Sequence, residues 1–249
     1  MAENGVYVYA ITPAGTALPA GVVGVGIPPA VLRPAGEEGV CAVVSDAPPH
    51  LRPRRRDLMA HQDVLLRLAD RGPVLPMRFG TIAPDEESVR AHLREARAEH
   101  LATLKHLDGV VEINLKALPA QDAIAAVVAE EKNVRRLREA VRRRPDYEAN
   151  VRLGEAVAAA LSRRAAEAGK KILHKLTPMA RAVAAGPEVH GCALNVSFLV
   201  DRRESDTFRA TVRRFADAHR THVELRVAGP LPCYSFVHSR SLRTPVAGG

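Results

Sequence analysis

The sequence has little of what most recognisable sites are built from. It contains no tryptophan and only 4 % aromatic residues. Its three cysteines, Cys41, Cys192 and Cys233, are far apart and form no Cys-x-x-Cys pair, so neither a disulfide framework nor a zinc site is predicted. No apolar run approaches the roughly 20 residues that a membrane-spanning helix needs. No basic segment precedes a long apolar stretch at the start, so we expect a cytoplasmic protein without a secretory signal.

Motifs for common chemistries are missing as well. The sequence has no Gly-x-x-x-x-Gly-Lys-Ser/Thr loop for phosphates, no Gly-x-Ser-x-Gly nucleophile elbow and no His-Glu-x-x-His metal pair. Gly24-Val25-Gly26 continues into prolines rather than into a helix, which is typical of a strand or turn. We therefore assign no catalytic, cofactor-binding or metal-ligating residue, and expect no cofactor and no small-molecule substrate.

Ten histidines raise the alternative of a metal site. His92, His100 and His106 fall in one predicted helix, where eight residues separate the first two by about 12 Å along the axis, too far for one ion. We interpret them as structural or surface residues. His61 lies on the apolar stripe of the helix predicted from Asp57, and is predicted to be a hydrogen-bonded core histidine.

The net charge of +8 makes anionic partners a further hypothesis. The segment from Lys132 to Arg144 holds seven basic residues and one glutamate, and that from Arg52 to Arg56 holds four arginines. Nucleic-acid binding normally adds aromatic stacking or a recognisable reading motif, and neither is present. Solvated helix surfaces are the simpler interpretation. No specific nucleic-acid binding is expected, and a basic nucleic-acid-binding protein stays as an alternative.

Hydrophobic periodicity predicts an α+β fold with two domains. The N-terminal domain, residues 1–108, is a mixed α/β unit, with strands at 6–11, 21–27, 40–45 and 74–78 and helices from 57 and from 84 to about 107. The C-terminal domain, residues 109–238, has the order strand, helix, strand, strand, helix, strand. This order predicts a modified ferredoxin-like domain, with a helical hairpin (122–144 and 151–176) inserted in the first crossover. Residues 239–249 are expected to form a disordered tail.

The first strand of the second domain has the cleanest alternation. Val111, Ile113 and Leu115 alternate with Glu112 and Asn114, which predicts one face in the core and the other in water.

Two blocks place proline and glycine directly against strand residues. Pro76–Thr81 follows Val74-Leu75, and Gly229–Phe236 follows the last alternating strand. Proline cannot donate to a strand ladder, and glycine permits backbone conformations that other residues avoid. Both blocks are therefore predicted to be edges or corners that shape the fold.

Several segments, taken together and in their order along the chain, resemble those of the gas vesicle protein family GvpL/GvpF. The resemblance runs from Val6 to Phe236, through the segments at 6–9, 42–45, 74–81, 112–116, 194–201 and 229–236. The closing motif of that family usually reads Gly-Pro-Trp-Pro-Pro-Tyr-Ser-Phe, so Leu231 and Cys233 depart from it. The resemblance marks motif positions of unknown role: His61, Pro76, Arg78, Phe79, Gly80, Gly229, Pro230, Tyr234 and Phe236.

The resemblance implies an accessory or minor structural protein of gas vesicles with no known enzymatic activity. The implied partners are the small hydrophobic wall protein and other gas vesicle accessory proteins, and the implied location is the cytoplasm, on gas vesicles. Subunits of a water-repelling wall expose apolar patches that aggregate unless they are shielded. The implied function is to bind the wall protein and assist assembly.

An enzyme on a ferredoxin-like scaffold is the other alternative, because a fold never excludes chemistry. Arg78 beside His61 is the first pair of residues that this alternative predicts to be close together.

Overall fold

The computed structural model describes residues 5–49 and 51–237 as an α+β protein with two sheets and seven α-helices. The chain forms two compact units. One contains the described residues up to Glu112 together with those from Leu231 onward, and the other contains Ile113–Pro230. The sequence-based domain limits stay a prediction, and the tail predicted at 239–249 lies outside the described residues.

The first unit carries a sheet with helices on both faces. Its elements are β1 (Val6–Pro13), β2 (Arg33–Glu37), β3 (Val40–Asp46), α1 (Arg55–Ala69), β4 (Leu75–Pro76), β5 (Ile82–Ala83), α2 (Glu86–Glu95) and α3 (Arg97–His106). The strand order is β2-β3-β1-β4, and β5 also pairs with β1. All the pairings of β1 are antiparallel.

Strand β1 is buried on both faces because helices pack on each side of it, and it contains a bulge. Its register against β3 shifts between Val8 and Ala10, so Tyr9 is the extra residue. Tyr7 and Tyr9 pack with α1 in one core, whereas Val8 and Ile11 pack with α2 and α3 in the other. The aromatic and β-branched composition of β1 fits a strand with apolar neighbours on both sides.

The prediction of a strand at residues 21–27 is wrong. This segment belongs to a loop at 14–32, in which the Gly24 N–H donates to the Ala30 carbonyl at 2.8 Å. The second strand is β2, which contains Pro34. Proline argues against a central strand, so the sequence did not predict β2. The strand lies at the edge of the sheet, where a proline is tolerated. The strand predicted at 74–78 shrinks to the two residues of β4.

Two of the three long predicted helices are interrupted. The helix predicted to reach residue 107 breaks at Ala96 (φ −102°, ψ 14°), which separates α2 from α3. The first arm of the hairpin breaks at Glu131 (φ −80°, ψ 111°) into α4 (Ile124–Glu130) and α5 (Lys132–Arg143). Neither break carries a glycine or proline, so the sequence contains no local signal for it.

The second unit contains the other sheet. Besides α4, α5 and most of β6 (Val110–Pro119), its elements are α6 (Tyr147–Leu176), β7 (Ala182–Ala185), β8 (Leu194–Asp201), α7 (Ser205–Ala218) and β9 (Val223–Leu231). The strand order is β7-β8-β6-β9. Phe198 of β8 and Phe208 of α7 are fully buried with ring centroids 5.1 Å apart. In the described part of the chain, no helix combines the length and apolarity that crossing a bilayer requires.

Glu112, which was predicted to face water, is buried. Its carboxylate accepts hydrogen bonds from the Ser235 N–H at 2.9 Å and from the Ser235 hydroxyl at 2.7 Å. These bonds replace the lost water contacts of a buried carboxylate. The alternation correctly placed Ile113 and Leu115 in the core, but the polar face of the strand is covered at Glu112.

Candidate functional site

Four of the motif positions meet in the first unit, around Tyr7. His61 comes from α1, Phe79 and Gly80 come from the turn after β4, and Tyr234 comes from a short 3₁₀ helix (Tyr234–Phe236). Together with Tyr7 and Tyr9 of β1, the side chains of His61, Phe79 and Tyr234 form what we call the His61 cluster.

The hydrogen bonds of the cluster determine the protonation of His61. The Met77 carbonyl, 3.1 Å from Nε2, can only accept, so Nε2 carries the hydrogen. Nδ1 then accepts from the Tyr7 hydroxyl at 2.9 Å, and that hydroxyl accepts from the Gly80 N–H at 3.2 Å. The Tyr234 hydroxyl oxygen lies 3.3 Å from Nε2 and shares its hydrogen. His61 is therefore neutral, and it is the hydrogen-bonded core histidine that was predicted.

Electrostatics keep the cluster uncharged near pH 7. Burial lowers the pKa of His61 from 6.5 to about 4, although the Met77 carbonyl acts in the opposite direction. Burial raises the pKa of the Tyr7 phenol above its ordinary value. Burial, and then the negative charge of Glu112, raises the pKa of Tyr234 to about 12. Both nitrogens of His61 contact protein atoms, so the cluster has the properties of a structural support.

Tyr9 connects the cluster to the loop at residues 14–32. Because the Ser45 hydroxyl can donate to the Asp46 carbonyl, Tyr9 can donate to Ser45 Oγ at 3.0 Å. The Tyr9 hydroxyl accepts from the Val25 N–H at 2.8 Å. At the next residue, the Gly26 N–H donates to the buried carboxylate of Asp57 at 3.0 Å. Two successive attachments thus hold the middle of the loop against β1 and α1.

The same loop exposes aliphatic side chains. Val23, Ile27 and Val31 are 52 %, 70 % and 82 % exposed. We call residues 14–32 the apolar loop. Ile27 also lines a groove of about 210 Å³ with apolar and arginine side chains, which are Pro48, Pro49, Leu51, Arg52, Arg54 and Arg56. A loop that is fixed at Val25 and Gly26 and exposes aliphatic groups on either side is suited to contact another apolar surface.

The other motif positions are not among the side chains of the cluster. Pro76 is in β4 and pairs with Ala10. Arg78 is exposed, whereas His61 is only 3 % exposed, and the hydrogen-bond partners of His61 are Tyr7, Met77 and Tyr234. Phe236 is half-buried in the 3₁₀ helix. Gly229 and Pro230 belong to the second unit, where Arg209 donates to the Gly229 carbonyl at 2.7 Å.

Phe79→Ala is expected to lower the free energy of unfolding by about 2 kcal/mol. If the ring were fully buried, as the motif predicts, the loss would be about 3 kcal/mol. The ring is half-buried, with its centroid 6.1 Å from that of Tyr7 and 5.8 Å from that of His61, so the loss is smaller. Urea unfolding measures it. Val31→Ala, at an exposed site, is the control and should change stability by less than about 0.5 kcal/mol. Equal effects of the two substitutions would contradict this account.

The distance estimate for the histidines of α2 and α3 is wrong. The break at Ala96 brings the rings of His92 and His100 to a centroid distance of 5.5 Å. Burial and then the charge of His92 lower the pKa of His100, whose Nε2 has no hydrogen-bond partner among the described residues. Across residues 5–49 and 51–237, no three histidine, cysteine or acidic side chains come together as a possible metal site.

Sequence reasoning missed the side chains that hold this region together. The sequence indicates Tyr7 and Tyr9 as strand residues within a family motif and Asp57 as the start of a helix, but not the hydrogen bonds that these side chains make. The signal available for Asp57 was its position in the first turn of α1, beside a run of arginines. The contact between Glu112 and Ser235 had no local signal, because the two residues are 123 positions apart.

Comparisons with known proteins agree with one another. The sequence profile of the family described as gas vesicle synthesis protein GvpL/GvpF matches residues 5–238. Gas vesicle protein F of Streptomyces sp. (strain CB03234) is 43 % identical over 235 residues, which cover 93 % of this chain and 98 % of that protein. Gas vesicle protein L of the same strain is 31 % identical over 254 residues, covering 92 % and 91 %.

Solved structures share the fold. The crystal structure of the gas vesicle protein GvpF from Anabaena sp. PCC7120 superposes with a TM-score of 0.73 at 21 % identity, covering 94 % of this chain and 98 % of that one. The crystal structure of GvpF from Microcystis aeruginosa gives a TM-score of 0.68 at 22 % identity, with the same coverage.

Proposed function

Since this chain belongs to the gas vesicle synthesis protein family GvpL/GvpF, we propose that it is an accessory protein that binds the small hydrophobic wall protein and assists gas vesicle assembly. The family is a gas vesicle family and not a known enzyme family. In this proposal the protein acts in the cytoplasm, on growing gas vesicles and together with other accessory proteins.

The apolar loop is the observation that carries the proposal. Its exposed side chains, Val23, Ile27 and Val31, offer aliphatic surface of the kind that a subunit with exposed apolar patches would bind. The attachments at Val25 and Gly26 hold the loop in place before binding, which reduces the entropy lost on association. The His61 cluster supports the strand from which the loop departs, and motif residues thus act through the loop that they position.

We also propose that the second unit is a modified ferredoxin-like domain. Its elements follow the order strand, helices, strand, strand, helix, strand, and its strand order is β7-β8-β6-β9. The helices α5 and α6 supply the enlarged first crossover. In α6, a Cβ added at Gly169 would lie at ordinary van der Waals distances, 3.4 Å from the Cβ of Leu194 and 3.6 Å from that of Ala117, so the helix packs against β8 and β6 at this point.

Co-purification tests the proposed function. Affinity-tagged protein that is co-expressed with the wall protein should retain it, and the V23D/I27D/V31D variant should lose most of this retention, because each aspartate places a charge in the apolar contact. The matched control is I124D/V183D/V189D, which changes three exposed aliphatic residues of the second unit.

The control should retain the wall protein like the wild type, and melting curves should show that both variants are folded. No association of the wild type, with or without the other accessory proteins, would refute the proposal. Equal losses in the two variants would show that the apolar loop is not the contact surface.

A further inference from the structure

The exposed face of α5 carries an unusual concentration of positive charge. The segment from Lys132 to Arg144 has a surplus of six positive charges, compared with +8 for the whole chain. Lys132, Arg135, Arg136, Arg138, Glu139 and Arg142 line a concave surface region of about 550 Å³. The opposite face of the helix packs through Val134 against the hairpin core. We call the six lining side chains the basic face.

The arginines of the basic face are not neutralised within the structure. In the described residues, none of its cations forms an ion pair. In helices α2 and α6, by contrast, arginines do form ion pairs with a glutamate one turn away. Arg90 pairs with Glu86 at 3.1 Å, and Arg152 pairs with Glu148 at 3.2 Å. Like charges at the spacing of Arg135, Arg138 and Arg142 destabilise a helix by about 0.2–0.5 kcal/mol per pair. An anionic partner would remove this repulsion.

Glu139 indicates what kind of anion fits. With 3.6 residues per turn it lies in the middle of the basic face, one turn from Arg135, Arg136 and Arg142. A row of phosphates would place like charge against this carboxylate. A polypeptide segment can instead place acidic side chains opposite the arginines and a basic side chain opposite Glu139. The face also carries no aromatic residue on which nucleic-acid bases would stack.

We propose that the basic face of α5 is a docking surface for an acidic polypeptide segment that carries a basic residue amid its carboxylates. This surface belongs to the second unit, whereas the apolar loop belongs to the first, and it takes a partner of different chemistry. Charge of this kind speeds association and selects the partner, and it acts at long range before close contacts form.

Binding of defined probes to the full chain tests the docking surface. The first probe is a fluorescent helical peptide as long as α5, with glutamates along one face and a single lysine at its centre. In the second peptide a glutamate replaces the lysine, and the third probe is a short DNA duplex. The test variant is R135Q/R138Q/R142Q. The matched control is R52Q/R54Q/R55Q, which removes the same charge from exposed arginines of the first unit.

At physiological ionic strength, the lysine-containing peptide should bind most tightly, and the test variant should weaken its binding about tenfold, equivalent to about 1.4 kcal/mol. The control should weaken it less than about twofold, by a net-charge effect alone. E139Q should reduce the preference for the lysine-containing peptide. Equal losses in the two triple variants, or tighter binding of DNA through the basic face, would overturn the proposal.

Discussion

Tyr9→Ala is expected to lower the free energy of unfolding by about 4 kcal/mol. The Tyr9 ring is fully buried, and its centroid lies 4.6 Å from that of Tyr7 and 5.6 Å from that of His61. Truncation leaves a cavity between β1 and α1 and deprives the Val25 N–H of its acceptor. Since small domains have about 5–15 kcal/mol of stability, this loss is a large fraction of the total. Urea unfolding measures the loss.

Tyr9→Phe separates the contributions of the ring and the hydroxyl. It keeps the packing and removes only the bonds to Val25 and Ser45, so the expected loss is about 1–2 kcal/mol. This variant should also weaken retention of the wall protein, because the apolar loop loses an attachment. A loss below about 1 kcal/mol in Tyr9→Ala would contradict the packing that the structure shows.

The stability of the protein should fall between pH 7 and pH 4 by about 3 kcal/mol through His61 alone. The pKa of this histidine is about 4 in the folded protein, compared with an ordinary value of 6.5. Well above pH 6.5 the ring is neutral in both states, and its titration has no effect on stability. As the pH falls below 6.5, the unfolded chain takes up a proton that the folded chain binds only near pH 4, so unfolding becomes more favourable.

Urea unfolding from pH 4 to pH 7 measures this dependence, and His61→Gln is the test variant. Glutamine does not titrate, so the free energy of unfolding of the variant should depend less on pH. The difference should equal the part of the pH dependence that the titration of His61 contributes. His100→Gln is the control, because it removes another buried histidine whose pKa is lowered. The pH dependence of stability that comes from His61 should remain in this variant. A profile of His61→Gln as steep as that of the wild type would show that His61 titrates normally.

The predictions that were confirmed depend on local pattern. Continuous apolar runs and alternation predicted β1, β3, β8 and β9, and the helical stripe placed His61 in the core. The resemblance to the gas vesicle family is confirmed by the sequence profile and by both Streptomyces relatives. The resemblance depended on several motifs occurring in a fixed order along the chain, because no single motif identifies the family.

What the sequence could not show was decided by tertiary contacts. The helix breaks at Ala96 and Glu131 occur at residues with good helix propensity, so packing outweighs local preference there. The two hydroxyl partners of His61 are 54 and 173 positions away, beyond any periodicity. Glu112 is buried because the chain returns to the first unit after β9, which the alternation of one strand cannot indicate.

Hydrogen exchange of the backbone amides tests the central claim, that the apolar loop is the surface that meets the wall protein. Exchange in residues 14–32 should slow when the wall protein is added, whereas exchange in α7 should not change. The V23D/I27D/V31D variant should show no such protection. Unchanged exchange in the apolar loop while the wall protein is bound would contradict the account.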